Sequence, residues 1–408
     1  MPEITPIVRP VTDSELEPCI RLLNHAFLDE FTDADLEVIR SLWEVPRTHG
    51  IFDTDGSLLG CGTIISKDMT LPGVGPVPVA AVSGVGVAPD QRRRGLLTAL
   101  MRTQLHGLHD NGREPIAALH ASEGAIYGRF GYGLASYHVT HSVARGVAFR
   151  PGVETGNARI RELPRGKAMP LMRELHAKAA ADAVGWVSRS EATWDRLYFD
   201  EASGRDGAGP YHFAMHPEGY ASYRPKVGWG VRGPRYELRV REIVALTPQA
   251  CAALWRYLLD MDLAIEVVHH IAAADAPLPH LLVNPDLVET RVENGLWVRL
   301  VDLDRALPTR RYSATLDTVL GVADAFCPWN SGRWRLRVDE AGTATVTRCA
   351  DAPRLELDVA DLGAIFLGGT RLSVLAAAQR VRERAPGTVA AVDRAFATER
   401  APHCPEIF

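Results

Sequence analysis

Apolar and polar positions along the first third of the chain alternate in two distinct periods, which predicts a mixed α/β unit. Leucine and methionine recur at helical spacing from Leu97 to Leu108, and the segment Asp110–Gly112 ends that helix. Gly- and Pro-rich stretches such as Leu71–Pro78 separate the strand-like runs. The predicted elements are helices near 13–26 and 33–43, a meander of strands from Gly50 to Ala88, a helix after Gly95 and a strand from Pro115 to Ala121.

A similar order of elements follows residues 145–156, which we interpret as a linker. Thr247 followed by Pro248 is a typical helix start, because the hydroxyl caps the helix and proline lacks the N–H that would stay unpaired. No glycine or basic cluster precedes this helix, so we expect no phosphate site there. The predicted elements are a helix near 166–182, strands around Tyr211–Arg224 and Arg235–Leu246, a helix from Thr247 and a strand at Ile265–His269.

Short alternating strands and then helices follow from about residue 297. The predicted strands are Trp297–Leu300, Thr315–Leu320, Trp334–Val338, Thr343–Thr347 and Leu355–Val359, and the predicted helices lie near 361–367, 371–384 and 388–397. A chain of 408 residues is long enough for several units that each bury a core. We therefore predict domains at residues 1–146, 147–296 and 297–408.

Composition excludes several classes of protein. The net charge of −5 does not favour a nucleic-acid-binding surface. The opening residues have no apolar signal region and no apolar run approaches the ~18 residues of a membrane span, so we expect a cytoplasmic protein without a membrane partner. The six cysteines lie far apart without a CxxC pair, and the pairs His106/His109 and His269/His270 lack partners at ligand spacing. We therefore expect reduced thiols and no metal site.

Residues 83–101 combine a buried strand, a Pro-Asp turn and a basic helix start. Arg92, Arg93 and Arg94 precede Gly95, after which the helix begins. A helix start presents unpaired N–H groups and the positive end of the helix dipole, so it suits a phosphate. Glycine at this position lets an anion approach the backbone, because no Cβ is in the way. The pattern predicts a binding site for a pyrophosphate.

The run Arg92–Leu97 resembles the acetyl-CoA loop, Arg-x-x-Gly-x-(Gly/Ala), of the GCN5-related N-acetyltransferases, although Leu97 stands where that family has a small residue. In that family the preceding strand separates from its neighbour, and its free backbone groups bind pantetheine. The resemblance implies acetyl-CoA as cosubstrate. The residues that it assigns to acetyl-CoA binding are Val85, Gly86, Val87, Arg92, Arg93, Arg94, Gly95, Leu96, Leu97, Thr98, Ser122 and Glu123.

The segment Ala118–Gly133, ALHASEGAIYGRFGYG, is similar to the Eis acetyltransferases of mycobacteria and related actinobacteria. Further similar segments are His216–Arg224, Ala253–Asp262, Pro277–Leu282, Gly295–Arg299 and the aromatic Phe408. The resemblance implies an α/β (α+β) fold: tandem GCN5-related acetyltransferase folds, the second without a cofactor site, followed by a sterol carrier protein-like domain. It also implies a homohexamer.

Acetyl transfer from a thioester to an amine needs a polarised carbonyl, a neutral amine and a proton for the departing thiolate. Backbone N–H groups near Val87 are candidates to polarise the carbonyl. Tyr127, one turn after the second strand, suits proton donation and matches the Eis general acid, with Tyr132 as the alternative. By residue type the base is open among His120, Glu123, Asp29 and Glu406. The resemblance assigns that role to the terminal carboxylate of Phe408.

The acceptor predicted from the resemblance is an aminoglycoside-like or other polycationic amine, acetylated at several positions, which would place the protein in antibiotic resistance. Phe27 and Asp29 match an Eis substrate-pocket pair. Gly84 stands where Eis often has an aromatic residue, so we expect a reshaped pocket. Two alternatives remain: an acetyltransferase for protein lysines or peptides, and a non-enzymatic protein that binds a lipid or cofactor through its C-terminal domain.

Overall fold

The computed structural model describes residues 6–231 and 233–408, so the first five residues of the opening segment lie outside the described part. The first stretch contains β1 (Ile7–Pro10), α1 (Asp13–Phe27), α2 (Asp33–Leu42), β2 (Thr48–Phe52), β3 (Leu58–Leu71), β4 (Gly75–Val87), α3 (Leu96–Asn111), β5 (Ile116–His120), α4 (Gly124–Tyr127), β6 (Gly133–Leu134) and β7 (Tyr137–Ala144). These bounds agree closely with the elements predicted from periodicity.

The next stretch contains β8 (Arg161–Glu162), α5 (Arg165–Ala180), α6 (Glu191–Leu197), β9 (His212–His216), β10 (Gly219–Lys226), β11 (Trp229–Gly230), β12 (Gly233–Pro234), β13 (Tyr236–Ala245), α7 (Pro248–Leu259), β14 (Ala264–Ala273), α8 (Leu278–Leu281), β15 (Val288–Asn294) and β16 (Leu296–Leu300). Thr247 caps α7 through its side chain, as predicted. The predicted linker is packed rather than free, because Phe149 forms a β-bridge with Leu282.

The last stretch contains α9 (Leu303–Ala306), β17 (Leu316–Ala323), β18 (Gly332–Val338), β19 (Ala344–Arg348), β20 (Leu355–Asp358), α10 (Val359–Ile365), α11 (Leu372–Ala377), β21 (Arg382–Glu383) and α12 (Thr388–Phe396). The helix predicted over 371–384 is too long. The chain turns at Gln379, where φ is +61°, and then pairs β21 with β20 to extend the sheet.

Two seven-stranded sheets exchange strands. The first sheet has the order β1-β2-β3-β4-β5-β16-β6, and the second has the order β15-β7-β14-β13-β10-β9-β8. The strand predicted at Trp297–Leu300 therefore belongs to the first sheet and not to the C-terminal unit. Leu296, Val298 and Leu300 are fully buried there, because β16 lies between two strands and under α10. The sheets thus do not divide at the boundaries predicted near 146 and 296, and those residue ranges stay predictions.

Helices cover both faces of the first sheet. Phe52 packs with α1 and α2, whereas the adjacent Ile51 packs with α3. Neighbouring strand residues point to opposite faces, so the two helical layers lie on opposite sides of the sheet. The C-terminal unit has a five-stranded sheet of order β19-β18-β17-β20-β21, and its core is continuous with the β5–β16 edge of the first sheet.

The C-terminal tail, residues 402–406, is buried between the first two units. The backbone N–H of His403 donates to the carbonyl of Val184 at 2.9 Å, and its ring Nε2 lies 3.2 Å from the carbonyl oxygen of Ile271. Just before the tail, Arg400 forms an ion pair with Asp275 at 2.6 Å. The tail is therefore docked, and it ends against the site described next.

Candidate active site

The strands β4 and β5 separate at one end of the first sheet. They pair in parallel at Ala80–Ala117 and Ala81–Ala118, and the pairing ends there. Val85, Gly86 and Val87 lie beyond that point, with β3 as their neighbour on the other side. The backbone groups of β4 that face the gap have no partner on β5. A slot of this kind can accept an extended amide-containing chain such as pantetheine.

The loop after β4 leads into the start of α3 in a strained conformation. Arg93 has φ of +62° and Gly95 has φ of +78°. The first helical hydrogen bond of α3 runs from the N–H of Ala99 to the carbonyl of Gly95. The N–H groups of Leu96, Leu97 and Thr98 therefore lie before the helical bonds begin and are available to a ligand. A Cβ on Gly95 would meet no atom within 4 Å, so the backbone opens onto free space.

The three arginines of this loop have different surroundings. Arg92 donates to the carbonyl of Ala26 at 3.2 Å, which ties the loop to the end of α1, and Arg94 donates to the side chain of Gln91. All three are exposed beside the start of α3. Leu97 is partly buried against the core, so the residue that departs from the family pattern packs inward. The loop thus offers backbone donors and positive charge to an anion.

Tyr127 ends α4 and lines a cavity next to Ser122 and Val85. Burial, and then the charge of Glu123, raise the pKa of Tyr127 to about 12, so the phenol is protonated at neutral pH. Its hydroxyl accepts and donates no hydrogen bond within the described residues. Tyr132, the alternative acid, is fully buried, its hydroxyl also lacks a partner in the described chain, and it does not line the cavity. Of the two phenols, only Tyr127 faces the cavity.

The cavity has a volume of about 740 Å³ and lies between the first two units. One wall is mainly apolar and comes from α1, α2, β4 and β5, including Phe27, Phe31 and Trp43. The facing wall comes from the second unit and carries several arginines. Glu406, Ile407 and Phe408 of the tail line the same space.

Four buried charged side chains hold the tail in place. Glu406 accepts from Lys67 on β3 at 2.8 Å and from Arg189 at 2.8 Å, and Arg189 also pairs with Glu242 on β13 at 2.6 Å. Each of these side chains is at most 6% exposed. The network connects the tail to both sheets. The sequence prediction treated Glu406 as a candidate base and overlooked its two partners and Glu242, because isolated charged residues carry no local signal of burial.

His120 and Phe408 lie together at the cavity. Their rings meet edge to face with centroids 5.1 Å apart. Burial, and then the charge of His138, lower the pKa of His120 to about 4, so its imidazole is neutral at pH 7. Its Nε2 is buried without a partner among the described residues. Glu123 is exposed, and Asp29 is exposed and accepts a hydrogen bond from the N–H of Glu30.

The substrate-pocket pair predicted from the resemblance is only partly brought together. Phe27 lines the cavity, whereas Asp29 is not among its lining residues. Gly84 does not open extra space: it has φ of +55°, and a Cβ there would lie 2.3 Å from Cζ2 of Trp43. The indole of Trp43 therefore occupies the volume next to Gly84.

The paired histidines have structural surroundings. His109 stacks on Trp329 and its Nδ1 lies 2.5 Å from an Asp302 oxygen, while His106 meets Trp329 edge to face. Within residues 6–231 and 233–408, no group of three or more His, Cys, Asp or Glu side chains is arranged to hold a metal ion. In the same part of the chain, no helix combines the length and the apolar character that crossing a bilayer requires.

Comparison with known proteins agrees with this geometry. Residues 7–135 match an acetyltransferase (GNAT) domain, residues 185–300 match a second acetyltransferase (GNAT) domain and residues 303–405 match a sterol carrier protein domain. An uncharacterized N-acetyltransferase from Streptomyces avermitilis is 40% identical over 385 residues, which covers 91% of this chain and 92% of that protein. The N-acetyltransferase Eis of Mycobacterium tuberculosis is 35% identical over 369 residues, which covers 87% of this chain and 88% of that protein.

The chain belongs to the Eis family of N-acetyltransferases. Eis1 from Mycobacterium abscessus has a crystal structure that superposes with a TM-score of 0.86 at 31% identity, covering 98% of this chain and 100% of that one. A GCN5-related N-acetyltransferase from Anabaena variabilis, at 20% identity and a TM-score of 0.84, shares the fold. The predicted architecture of two acetyltransferase units and a sterol carrier protein-like unit is confirmed. The GNAT fold implies acetyl-CoA as cosubstrate, and the protein is an N-acetyltransferase.

Proposed function

We propose that this Eis-family enzyme transfers the acetyl group of acetyl-CoA to an amine held in the cavity between its first two units. The single observation that carries the proposal is the position of Tyr127. Its hydroxyl faces that cavity without an internal partner, beside the gap between β4 and β5. The phenol therefore lies next to the space in which the thioester and the amine would react.

The donor would be held by the loop and by β4. The N–H groups of Leu96, Leu97 and Thr98, with Arg92, Arg93 and Arg94, would bind the diphosphate, because they combine backbone donors with positive charge. Val85, Gly86 and Val87 would bind the pantetheine arm, and their N–H groups would face the thioester carbonyl. Ser122 and Glu123 complete the predicted set at the end of β5.

Tyr127 would donate a hydrogen bond and then a proton to the sulfur. In the transfer, the amine nitrogen bonds to the acetyl carbon, the carbon–sulfur bond breaks and the sulfur leaves as a thiolate. Burial that raises the pKa of Tyr127 to about 12 also raises that of a thiol in the same cleft, because desolvation destabilises both anions. The pKa values of the Tyr127 phenol and of the thiol therefore lie closer together than the raised pKa of Tyr127 alone implies.

The amine proton would pass to the terminal carboxylate of Phe408. A free α-carboxylate has a pKa near ~3.5 and is a weak base in water, so its docking in the cleft is needed to make it effective. The burial of residues 402–406 and the ion pairs of Glu406 support such docking. The neutral imidazole of His120 is the second candidate, because it lines the same cavity. Glu406 itself is committed to Lys67 and Arg189.

The test is Tyr127→Phe with Tyr132→Phe as its matched control. Both variants remove one buried hydroxyl from neighbouring rings whose centroids are 5.9 Å apart, but only Tyr127 faces the cavity. We expect kcat of Tyr127→Phe to fall by about two orders of magnitude with acetyl-CoA binding retained, measured by thiol release and calorimetry. Tyr132→Phe should keep wild-type kcat. Equal turnover in the two variants would contradict the assignment.

The acceptor predicted from the resemblance is tested by the charges that line the cavity. The prediction of an aminoglycoside-like polycation has support from Asp35 and Glu201, which line the cavity, and less from Asp29, which does not. A panel of amines in the thiol-release assay separates polycations, peptide lysines and small amines. Lipid binding without acetyl transfer to any amine would favour the non-enzymatic alternative. The homohexamer and the cytoplasmic location likewise stay predictions, the former testable by light scattering.

A further inference from the structure

The part of the cavity lining that comes from the second unit is basic. Five arginines of the second unit line it, namely Arg196, Arg205, Arg224, Arg239 and Arg241. The acceptor of this enzyme must therefore fit next to several guanidinium groups. A polycation would meet like charges on this side of the cavity, which costs free energy.

Three of these arginines form ion pairs with carboxylates of the protein. Arg205 and Arg224 both pair with Asp200, at 2.9 and 3.0 Å. Arg239 pairs with Asp206 and with Glu237, each at 2.7 Å. These ion pairs occupy the three guanidinium groups, although Arg205 and Arg224 share the single charge of Asp200.

Arg196 and Arg241 have no such partner. Within residues 6–231 and 233–408, neither guanidinium forms an ion pair or a hydrogen bond with the protein. Arg196 lies in the last turn of α6, and Arg241 lies on β13 at a β-bulge, where the register against β10 shifts between Ser222 and Tyr223. Bulges of this kind frequently redirect a side chain next to an active site.

The two guanidinium groups are close enough to affect each other. Desolvation and then the charge of Arg241 lower the pKa of Arg196, while Asp35 and Glu406 raise it. Both carboxylates have other partners: Asp35 accepts from the N–H and the hydroxyl of Thr32, and Glu406 accepts from Lys67 and Arg189. Glu201, the other carboxylate nearby that forms no ion pair in the described chain, is exposed. Two adjacent positive charges therefore face the cavity without full compensation.

The diphosphate of acetyl-CoA does not explain these charges. The loop proposed to bind it, residues 92–95, contributes no residue to the cavity lining, whereas Arg196 and Arg241 stand on the other unit. Tyr127 and Phe408 line the same space as the two arginines. The same cavity thus holds the proposed acetyl-transfer residues and two guanidinium groups, unpaired within the described chain, that can bind an anion.

We propose that Arg196 and Arg241 bind an anionic oxyacid group on the acceptor, so that the preferred acceptor is a small zwitterion with an amine and a carboxylate. The proposal rests on the acetyl transfer proposed above and names its substrate class. Guanidinium groups suit such an anion, because their planar donors match a carboxylate in two parallel hydrogen bonds. Binding the anion would also relieve the repulsion between the two arginines. A cavity of about 740 Å³ has room for an acceptor of this size.

The experiment compares acceptors that differ in charge at one end only. The full-length enzyme is assayed by thiol release with 6-aminohexanoate, its uncharged amide and 1,6-diaminohexane, then with shorter and longer homologues and with an aminoglycoside. We expect kcat/KM for the carboxylate to exceed that for the amide by about 10- to 100-fold. An ω-aminoalkyl phosphate of the same length tells a phosphate from a carboxylate, and either anion preferred over the amide supports the subsite.

The variants assign the preference to the two arginines. In Arg196→Gln and Arg241→Gln, the ratio of carboxylate to amide should fall to near one, and in Arg241→Glu the diamine should become the better substrate. The ratio is taken within each variant, so a general loss of folding does not change it. Arg145→Gln, an exposed arginine paired with Asp262 outside the cavity, is the control and should keep the wild-type ratio.

The outcomes separate this proposal from the previous one. Thiol release with equal kcat/KM for carboxylate and amide, or a preference for the aminoglycoside, would overturn the anion subsite and leave acetyl transfer intact. A preference for the carboxylate that survives both glutamine variants would overturn the role of the arginines. Absence of thiol release with every amine, under conditions where acetyl-CoA binds, would refute the acetyl transfer itself.

Discussion

Removing the charge of Glu406 should detach the C-terminal tail from the active site. Glu406 is 2% exposed and makes two ion pairs of 2.8 Å, with Lys67 and Arg189. At that distance and an effective dielectric constant of about 20, each pair is worth about 6 kcal/mol before the desolvation cost is subtracted. Glu406→Gln keeps the shape of the side chain but leaves the buried ammonium of Lys67 with neutral acceptors alone, namely the amide and the carbonyl of Ser188.

We expect this variant to lose about 3–5 kcal/mol of unfolding free energy, because breaking a buried ion pair leaves an uncompensated charge. We also expect kcat to fall by at least about ten-fold while KM for acetyl-CoA stays unchanged. The reason is that Phe408 follows Glu406 by two residues, and the tail can no longer hold the terminal carboxylate in the cleft. Urea denaturation followed by tryptophan fluorescence measures the first effect, and initial-rate kinetics measures the second.

Glu242→Gln is the matched control. Glu242 is also buried and pairs with Arg189, but it accepts further hydrogen bonds from Tyr198 and Tyr220 within the second unit and does not touch the tail. We expect a similar loss of stability with a smaller effect on kcat. If Glu406→Gln lost stability but kept wild-type kcat, the contacts of the tail would contribute to stability and not to catalysis. If it kept both, the description of Glu406 as a buried charged anchor would be refuted.

Three further predictions follow from single positions. Gly95→Ala places a Cβ where the donor diphosphate is proposed to bind, so KM for acetyl-CoA should rise about ten-fold. The control is Gly107→Ala in the middle of α3, which also faces open space and should leave this KM unchanged. Equal KM values in the two variants would contradict the assignment of the loop. Gly84→Ala should lower the free energy of unfolding by about 1–3 kcal/mol, because φ is +55° and the Cβ would clash with Trp43. Adding Trp43→Phe should recover part of that loss, which a double-mutant cycle measured by urea denaturation would detect. The free energy of unfolding should fall as the pH drops from 6.5 towards 4, because burial lowers the pKa of His120, His176 and His403 to about 4 and that of His269 to about 3. In this range the unfolded chain takes up protons that the native state does not, which costs up to about 1.4 kcal/mol per histidine per pH unit. A urea midpoint that stays constant between pH 7 and 5 would contradict this.

Local patterns were sufficient to predict most of the elements and part of the site. The periodicity from Leu97 to Leu108 predicted α3, and Thr247 with Pro248 predicted the start of α7. The run Arg92–Gly95 could be singled out because a phosphate loop and the helix after it are built from neighbouring residues, and Tyr127 because it lies in the Eis-like segment Ala118–Gly133. Such features depend on backbone conformation over a few positions, which local sequence largely determines.

Tertiary structure decided which residues share the cavity. Glu406 and Lys67 are 339 positions apart, and Arg189 and Glu406 are 217 apart, yet they form one buried network. The strand β16 was predicted in the C-terminal unit, but it lies in the first sheet between β5 and β6. A strand buried on both faces needs a neighbouring strand on each edge, and the first sheet provides both. The family resemblance suggested a polycation as acceptor, whereas the packed chain presents to the cavity the guanidinium groups of Arg196 and Arg241, which are unpaired among the described residues.

The amino-acid sequence by itself therefore determined most of the secondary structure and the family, and it singled out Arg92–Gly95 as the candidate donor loop. Only the folded chain determined the anchoring of the tail and which charged side chains line the cavity. The physical reason is that the effect of a charged side chain depends on its burial and on its partners. Both are set by contacts between segments distant in sequence, and no local pattern records them.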